Sequence, residues 1–374
     1  MKKLLIVNGT DYNQRASGSG VVIKQFLKNV PSDVEVTFLN IGSDCDIKGI
    51  NCQSVQIQRT PSLIKKVICL FSFTSLMYSK YLRSRDVQSK IADLHRQEKF
   101  DVIYYHDTIA VQNYIELSGV KNLAHFIDLH SRSYAYYLKS EKKLIKKMAY
   151  YRENHICKLE ERKLINKFSQ IFLVNKNEAD YANKKYHTNK FRCIPLGVDL
   201  SCPLVEISPQ NKKNINLLYI GNLGYKANID GLNHFVNEYF EKFSKNVVLN
   251  VVGPGSENYN TDKKNIVTHG YIDDFSEFMA KMDIGIATMV NGSGLKNKIF
   301  DYLKFGMPVL VNTYTLNSNN IDNPYLFNLD DYHTFEGLLS SCLEIPRVMV
   351  KDSIWPYNEI ISCEEFWSKI RGVQ

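Results

Sequence analysis

Short apolar runs alternate with stretches of mixed polarity along most of the chain. In the first half the runs fall at residues 4–7, 34–39, 102–105, 123–127 and 171–174. Continuous apolar runs of this length read as strands buried on both faces. Residues 19–27, 87–97 and 110–117 lie between them and fit helices. Around 203–214 the chain turns polar, with Pro203, Pro209, Gln210, Lys212 and Lys213, as a linker does. The pattern then restarts, with strand candidates at 215–220, 247–252, 266–267, 284–287 and 308–311. This alternation predicts two α/β domains, 1–200 and 212–350, each a parallel sheet with helices on both faces. The two halves share the pattern without a visible sequence repeat.

The bulk numbers leave that reading intact. At 374 residues the chain exceeds what one core usually supports. Its 44% hydrophobic and 23% charged content is that of a soluble globular protein. A net charge of +8 favours anionic partners: nucleotides, phospholipid surfaces or nucleic acids. The positive charge is spread and no nucleic-acid module is recognisable, so a nucleic-acid partner is not expected. The eight cysteines show no C-x-x-C pair and read as reduced thiols of a cytoplasmic protein. Met1-Lys2-Lys3 precedes an apolar run that stops at Asn8, which suits a first strand better than a signal peptide. No stretch approaches a membrane span. Segments 64–85 and 139–167 combine lysines and arginines with apolar and aromatic residues, the second including Lys142, Lys143, Lys146, Lys147, Tyr150 and Tyr151. Each is either a solvated helix face or a peripheral contact with anionic membrane.

Chemistry concentrates in a few turns. After the strand at 284–287 comes Asn291-Gly-Ser293-Gly294-Leu295-Lys296-Asn297-Lys298-Ile-Phe-Asp301, opening a helix with Leu295, Ile299 and Leu303 on its apolar side. A Gly-rich turn entering a helix offers free N–H groups and the positive dipole end, which suits a phosphate. Lysines in the first turn oppose that dipole unless a dianion is bound. A second strand–turn–helix carries Gly221, Asn222, Gly224 and Lys226. A third, Gly253-Pro254-Gly255, is half a dinucleotide fingerprint without its third glycine or acidic partner, which argues against NAD. In the first half, Asp128 and His130 end a strand, where α/β sites form, and His106-Asp107 ends the preceding one. Arg15 and Gly18-Ser19-Gly20 follow strand one as a glycine-loosened turn. Asp44-Cys45-Asp46 has the Asp-x-Asp form of a metal motif, but nothing after it builds a single-sheet enzyme of that type.

Gly18-Ser-Gly20, His130, Ile194-Pro-Leu-Gly-Val-Asp199, Tyr219-Ile-Gly-Asn-Leu, Val251-Val-Gly-Pro-Gly and Gly292-Ser-Gly-Leu-Lys-Asn-Lys-Ile-Phe-Asp301 occur in this order. The chain thereby resembles the retaining, GT-B-fold glycosyltransferases of the group 1 family, in their bacterial polysaccharide-assembly branch. The resemblance covers almost the whole chain and is strongest over 190–312. It implies two Rossmann-like domains facing across a central cleft, with the helices of 355–374 packing back on the first. It also implies a metal-independent enzyme with no cofactor, using a nucleotide sugar as substrate. The donor would be held by Gly221, Asn222, Lys226, Ser293, Gly294, Leu295, Lys296, Asn297, Lys298 and Asp301. The acceptor, a saccharide or lipid-linked oligosaccharide, would lie near Arg15, Gly18, Ser19, Gly20 and His106. His130 would stand beside the donor sugar as the catalytic candidate, with Asp128 second.

The chain departs from the family pattern in four places. Ser293 and Asp301 stand where relatives carry two glutamates, and Asn222 and Asn228 where many carry Arg and Lys. Two other readings stay open at this stage: a nucleotide-sugar epimerase of the same fold, and a catalytically degenerate nucleotide-binding partner subunit.

Overall fold

The computed structural model describes residues 1–10, 12–13, 18–57, 75, 82–201, 204, 214–243, 246–272, 275–290, 297–319, 321–332 and 334–372. The chain forms two compact units: residues 1–197 with 360–374, and residues 198–359.

The first unit is built on a seven-stranded parallel sheet. Its strands are β1 (Lys2–Asn8), β2 (Val34–Ile41), β3 (Asn51–Val55), β4 (Val102–His106), β5 (Lys121–Phe126), β6 (Gln170–Leu173) and β7 (Phe191–Cys193), in the order β3-β2-β1-β4-β5-β6-β7. The helices are α1 (Gly18–Lys28), α2 (Arg85–Glu98), α3 (Asp107–Gln112), α4 (His130–Ser140), α5 (Leu144–Lys167) and α6 (Lys176–Tyr186). Leu4 to Val7 are wholly buried because helices cover both faces. Burying each such side chain contributes about 1.5–3 kcal/mol. The sheet order reverses between β1 and β4, which opens a crevice at their carboxyl ends.

Two expected helices differ in detail. The segment expected at 110–117 is helical from Asp107 and stops at Gln112, where Asn113 Nδ2 donates to the carbonyls of Ile109 and Leu82, both at 2.8 Å. The stretch 139–167 is two helices. Glu141 Oε1 accepts from the backbone N–H of Lys142 and Lys143 at 3.0 and 2.9 Å, offering the backbone an alternative to helix. Residues 64–74 and 76–81 of the other basic segment lie outside the described residues.

The second unit repeats the logic with a six-stranded parallel sheet, β10-β9-β8-β11-β12-β13. The strands are β8 (Ile215–Ile220), β9 (Val247–Val252), β10 (Ile266–Thr268), β11 (Ile284–Ala287), β12 (Val309–Val311) and β13 (Leu326–Asn328). Around them stand α7 (Lys226–Glu238), α8 (Phe275–Ala280), α9 (Asn297–Leu303), α10 (Thr313–Asn319), α11 (Phe335–Leu343) and α12 (Arg347–Asp352). Side chains alternate between two apolar layers: Leu217, Tyr219, Leu249, Val251 and Ile286 join one, Leu218, Val252, Ala287 and Val309 the other. Here too the order reverses, between β8 and β11.

The last helix, α13 (Glu359–Arg371), rejoins the first unit. Phe366 stacks on Phe26 of α1 with ring centroids 3.9 Å apart and meets Tyr104 edge-on at 5.2 Å. Trp367 Nε1 donates to the Phe26 carbonyl at 3.1 Å. Lys2 Nζ donates to the carbonyls of Ile370 and Arg371, a cation at the negative end of the helix.

Candidate functional site

Two clusters of polar side chains stand at the carboxyl ends of the two sheets, one at each reversal of strand order.

In the first unit, parallel register sets Asn8 beside His106, and His106 beside His125. The chain leaves β1 through Gly9, where any Cβ would stand 2.6 Å from the Ala110 nitrogen. Only glycine lets β1 pass that close to α3, and Thr10 is thereby brought to Asp107. Thr10 Oγ1 donates to Asp107 Oδ2 at 2.8 Å, and the Thr108 backbone N–H donates to the same carboxylate. Asp107 holds a left-handed backbone at φ 74°, a strained state for a non-glycine residue of the kind that clusters at functional sites. Burial works to raise its carboxyl, but His106 and hydrogen bonds from Thr10, Thr108 and Ser19 bring it below the usual carboxylate range.

His130 is the first residue of α4, and its Nε2 lies 2.8 Å from Thr108 Oγ1. Burial pushes the imidazole down to about 4, against a smaller upward pull from Asp107. Its place at the positive end of a helix disfavours the cation further. His130 is therefore neutral near pH 7, able to accept a proton or orient a hydroxyl. Asp128 lies half-buried in the turn before it.

Two buried carboxylates grip that turn from below. Glu178 Oε2 accepts from Leu129 N at 2.9 Å, and Glu161 Oε1 from Ser131 N at 2.8 Å. Asn154 Nδ2 donates to the Ser131 carbonyl, and Tyr186 donates to Glu161 Oε2 at 2.6 Å. The backbone on either side of His130 is thus fixed by hydrogen bonds to side chains of α5 and α6. Burial raises the Glu161 carboxyl even against these bonds. Neither glutamate stood out in the sequence. Glu178 has a signal, three residues after the N-cap Asn175 as in a capping box, yet its carboxylate turns to Leu129.

His106 is fully buried, with Nε2 2.9 Å from both Oγ and the carbonyl O of Ser19. It braces the start of α1, and its imidazole is lowered by burial. Ser19 and Gly20 are buried in the first turn of that helix, which Gly18 opens. Arg15 lies outside the described residues.

In the second unit, β8 ends in the turn Gly221-Asn222-Leu223-Gly224. A Cβ on Gly253, which has φ +129°, would stand 2.3 Å from the Gly221 carbonyl oxygen. The turns after β8 and β9 therefore pack backbone to backbone. Asn228 Nδ2 donates to the Asn222 carbonyl at 3.0 Å, and Asn228 Oδ1 accepts from Lys298 Nζ at 3.2 Å. The same ammonium lies 4.2 Å from the centroid of the Tyr219 ring, whose hydroxyl donates to the Asn228 carbonyl at 2.6 Å. Tyr302, fully buried in α9, accepts from Ile220 N at 2.8 Å and donates to the Ile286 carbonyl at 3.0 Å. One hydroxyl thus pins α9 to the ends of both central strands.

Lys226 pairs with Asp230 one helical turn on, and Asp301 with Lys304 at 2.7 Å. Ser293, Gly294, Leu295 and Lys296 lie outside the described residues; Asn297 opens α9. Among the described residues, Lys298 is thus a cation brought against the β8 turn from a distant element, with Asn228 and Tyr219 as its supports.

Among the described residues no helix is long and apolar enough to cross a membrane.

Comparison with solved structures finds similar chains across the full length. The lipopolysaccharide outer core galactosyltransferase WaaB, in its apo form, superposes with a TM-score of 0.62 at 10% identity, covering 100% of both chains. Anabaena Alr3699/HepE in complex with UDP and glucose gives 0.63 at 12% identity, again with 100% of both covered. WaaG, a glycosyltransferase involved in lipopolysaccharide biosynthesis, gives 0.58 at 14% identity over 100% of both. No curated protein matches the chain in sequence. Residues 214–344 match the family described as "Glycosyl transferases group 1". The protein therefore has an α/β fold of the GT-B type, and residues 214–344 of its second unit are similar to the group 1 glycosyltransferase family.

Proposed function

We propose that the protein transfers a sugar, with retention and without a metal ion, from a nucleotide-sugar donor to a saccharide or lipid-linked saccharide acceptor. The acceptor class that fits best is a precursor of bacterial surface polysaccharide, in keeping with the lipopolysaccharide enzymes among the similar structures. The observation that carries the reading is the group 1 match over the unit that holds Lys298 against the Gly221 turn. Breaking a glycosyl–phosphate bond builds negative charge on the departing diphosphate, and a fixed ammonium with backbone amides stabilises it. In this reading Lys298 neutralises the diphosphate, with Lys296 beside it in sequence, and Asp301 accepts from the ribose hydroxyls. Neutral His130, held by Thr108 and the Glu161–Glu178 clamp, orients the donor sugar as the oxocarbenium-like centre forms. No observation favours the epimerase.

The test is a thermal-shift screen with UDP, GDP, dTDP, CMP and NAD, repeated on Lys298→Ala and Asp301→Ala. UDP is the natural first ligand, since HepE was solved with it. A ligand that binds only the folded state raises the midpoint by mass action. A shift with one nucleoside diphosphate, lost in both variants, supports the donor site and names the base for turnover assays. No shift with any diphosphate would sink it.

A further inference from the structure

Arg132, the third residue of α4, is a cation that neither helix electrostatics nor its protein neighbours account for. The first turn of α4 holds no acid, so nothing in that turn offsets a positive charge at the positive end of the helix dipole. Its Nη1 donates to the Asn177 carbonyl on α6, and its Nη2 to the Tyr136 hydroxyl one turn along α4, each at 3.3 Å. Both acceptors are neutral, and among the described residues no carboxylate pairs with Arg132. The two buried glutamates beside this turn are directed at the Leu129 and Ser131 N–H groups instead. A guanidinium carries five N–H donors, so part of its fork is left for another acceptor.

The aromatic neighbours narrow what that acceptor is. The guanidinium carbon lies 5.9 Å from the Tyr136 ring centroid and 5.2 Å from that of Tyr181 on α6. Lys185 stands 5.2 Å from the same Tyr181 ring, and exposed Lys176 opens α6, so the surrounding charge is positive. A planar guanidinium held beside aromatic rings suits bidentate capture of a carboxylate or phosphate. Tyr181 is 40% exposed and Tyr136 half-buried, which leaves ring surface for the apolar face of a pyranose.

We propose that Arg132, Tyr136 and Tyr181 form an acceptor subsite for an anionic saccharide, one that carries a carboxylate or a phosphate near the hydroxyl receiving the new sugar. Arg132 follows His130 by two residues, so their Cα atoms are no more than about 7.6 Å apart. The hydrogen bonds to Leu129 and Ser131 that fix His130 also fix the start of α4 that carries Arg132. The anion is thus a handle that sets the register of the acceptor against His130. The role as acceptor rests on the transferase reading; capture of an acidic saccharide does not.

The experiment is a glycan array carrying oligosaccharides with glucuronic acid, oligosaccharides with a sugar phosphate, and the neutral parent of each. It is probed with the full chain, Arg132→Gln, Arg132→Lys and Tyr181→Ala. The unmodified chain should hold acidic glycans at least about tenfold more tightly than their neutral parents, the worth of one charge-assisted hydrogen bond. Arg132→Gln should erase that preference, and Arg132→Lys should restore it only in part, because an ammonium lacks the planar fork. Tyr181→Ala should weaken retention while keeping the preference. A mere brace between α4 and α6 would lower the unfolding midpoint and leave the acidic-to-neutral ratio alone, so the ratio is the readout. Retention of the glucuronic acid glycans alone names a carboxylate, and of the sugar phosphates alone a phosphate; either supports the subsite. No acidic preference in the unmodified chain, or one that Arg132→Gln retains, would overturn it. The nucleoside diphosphate thermal shift should persist in Arg132→Gln; its loss there would assign the guanidinium to the donor and overturn the acceptor role. A chain with no diphosphate shift fails the donor reading separately, and the acidic-to-neutral ratio still decides the subsite.

Discussion

Acidifying the protein should destabilise the first unit through His130, and the size of the effect follows from its surroundings. Burial holds the imidazole at about 4, against 6.5 for an ordinary histidine. The folded state thus binds this proton more weakly than the unfolded chain. Stability is complete above about pH 6.5 and is lost as the pH falls toward about 4. At about pH 4.5 the loss from this one group comes to about 2.5 kcal/mol, because each pH unit travelled below the unfolded value costs about 1.4 kcal/mol. His106 and His125, also lowered by burial, act in the same direction. Glu161, raised by burial, opposes them, because protonation relieves its desolvation.

Comparison with His130→Gln isolates the His130 contribution, since glutamine can keep a hydrogen bond to Thr108 without titrating. The assay is urea unfolding from about pH 8 to about pH 4.5, followed by tryptophan fluorescence. Trp367 is buried in the first unit, whereas Trp355 is 60% exposed, so the signal reports mainly the unit in question. The unmodified protein should lose about 2.5 kcal/mol more than the variant across that range. Parallel curves for the two proteins would refute the assignment of a depressed, half-buried imidazole at this position.

Three further outcomes test the rest of the site. Lys298→Met should weaken nucleoside diphosphate binding by about 1.5–3 kcal/mol in calorimetry, the worth of a hydrogen bond to a charged group. Lys226→Met should change it little, because that ammonium already pairs with Asp230; equal losses would mean the wrong lysine has been chosen. Gly253→Ala sets a methyl against the Gly221 carbonyl at a positive φ and should cost the second unit about 2–5 kcal/mol. An unchanged unfolding midpoint would contradict the backbone packing of the two turns. Glu178→Ala leaves the Leu129 N–H without its acceptor, which should cost about 1–3 kcal/mol and lower kcat with the donor KM unchanged. A KM change alone would place Glu178 in binding rather than in positioning His130.

The alternation of apolar runs and helical segments was enough to read two parallel α/β sheets. Central strands such as β1, β8 and β9 are covered on both faces, so each is written as an unbroken apolar run. The strands that the pattern did not reveal, β3, β7 and β13, all lie at sheet edges. An edge strand is half-covered, and Asn51–Val55 accordingly reads as polar coil. Lys298 stood out because a lysine in a first helical turn is locally unfavourable, and His130 because polar residues follow a buried apolar run; the strand expected to reach them stops at Phe126, and His130 opens the next helix.

What local sequence could not contain is which distant group completes each site. Lys298 meets Asn228 from 70 residues away, and Thr10 meets Asp107 from 97. Those pairings exist only because each sheet reverses its order beside its first strand, bringing two remote strand ends together. The same holds for the left-handed Asp107 and for Glu161 and Glu178 under the His130 turn. A carboxylate's charge is legible in one residue, but its burial and its partners depend on elements folded over it from elsewhere in the chain. Sequence alone determined where the central strands run and which residues could carry charge to a phosphate or a sugar. Tertiary structure decided which of them are buried, paired and held in place, because desolvation and hydrogen bonding are properties of the packed neighbourhood.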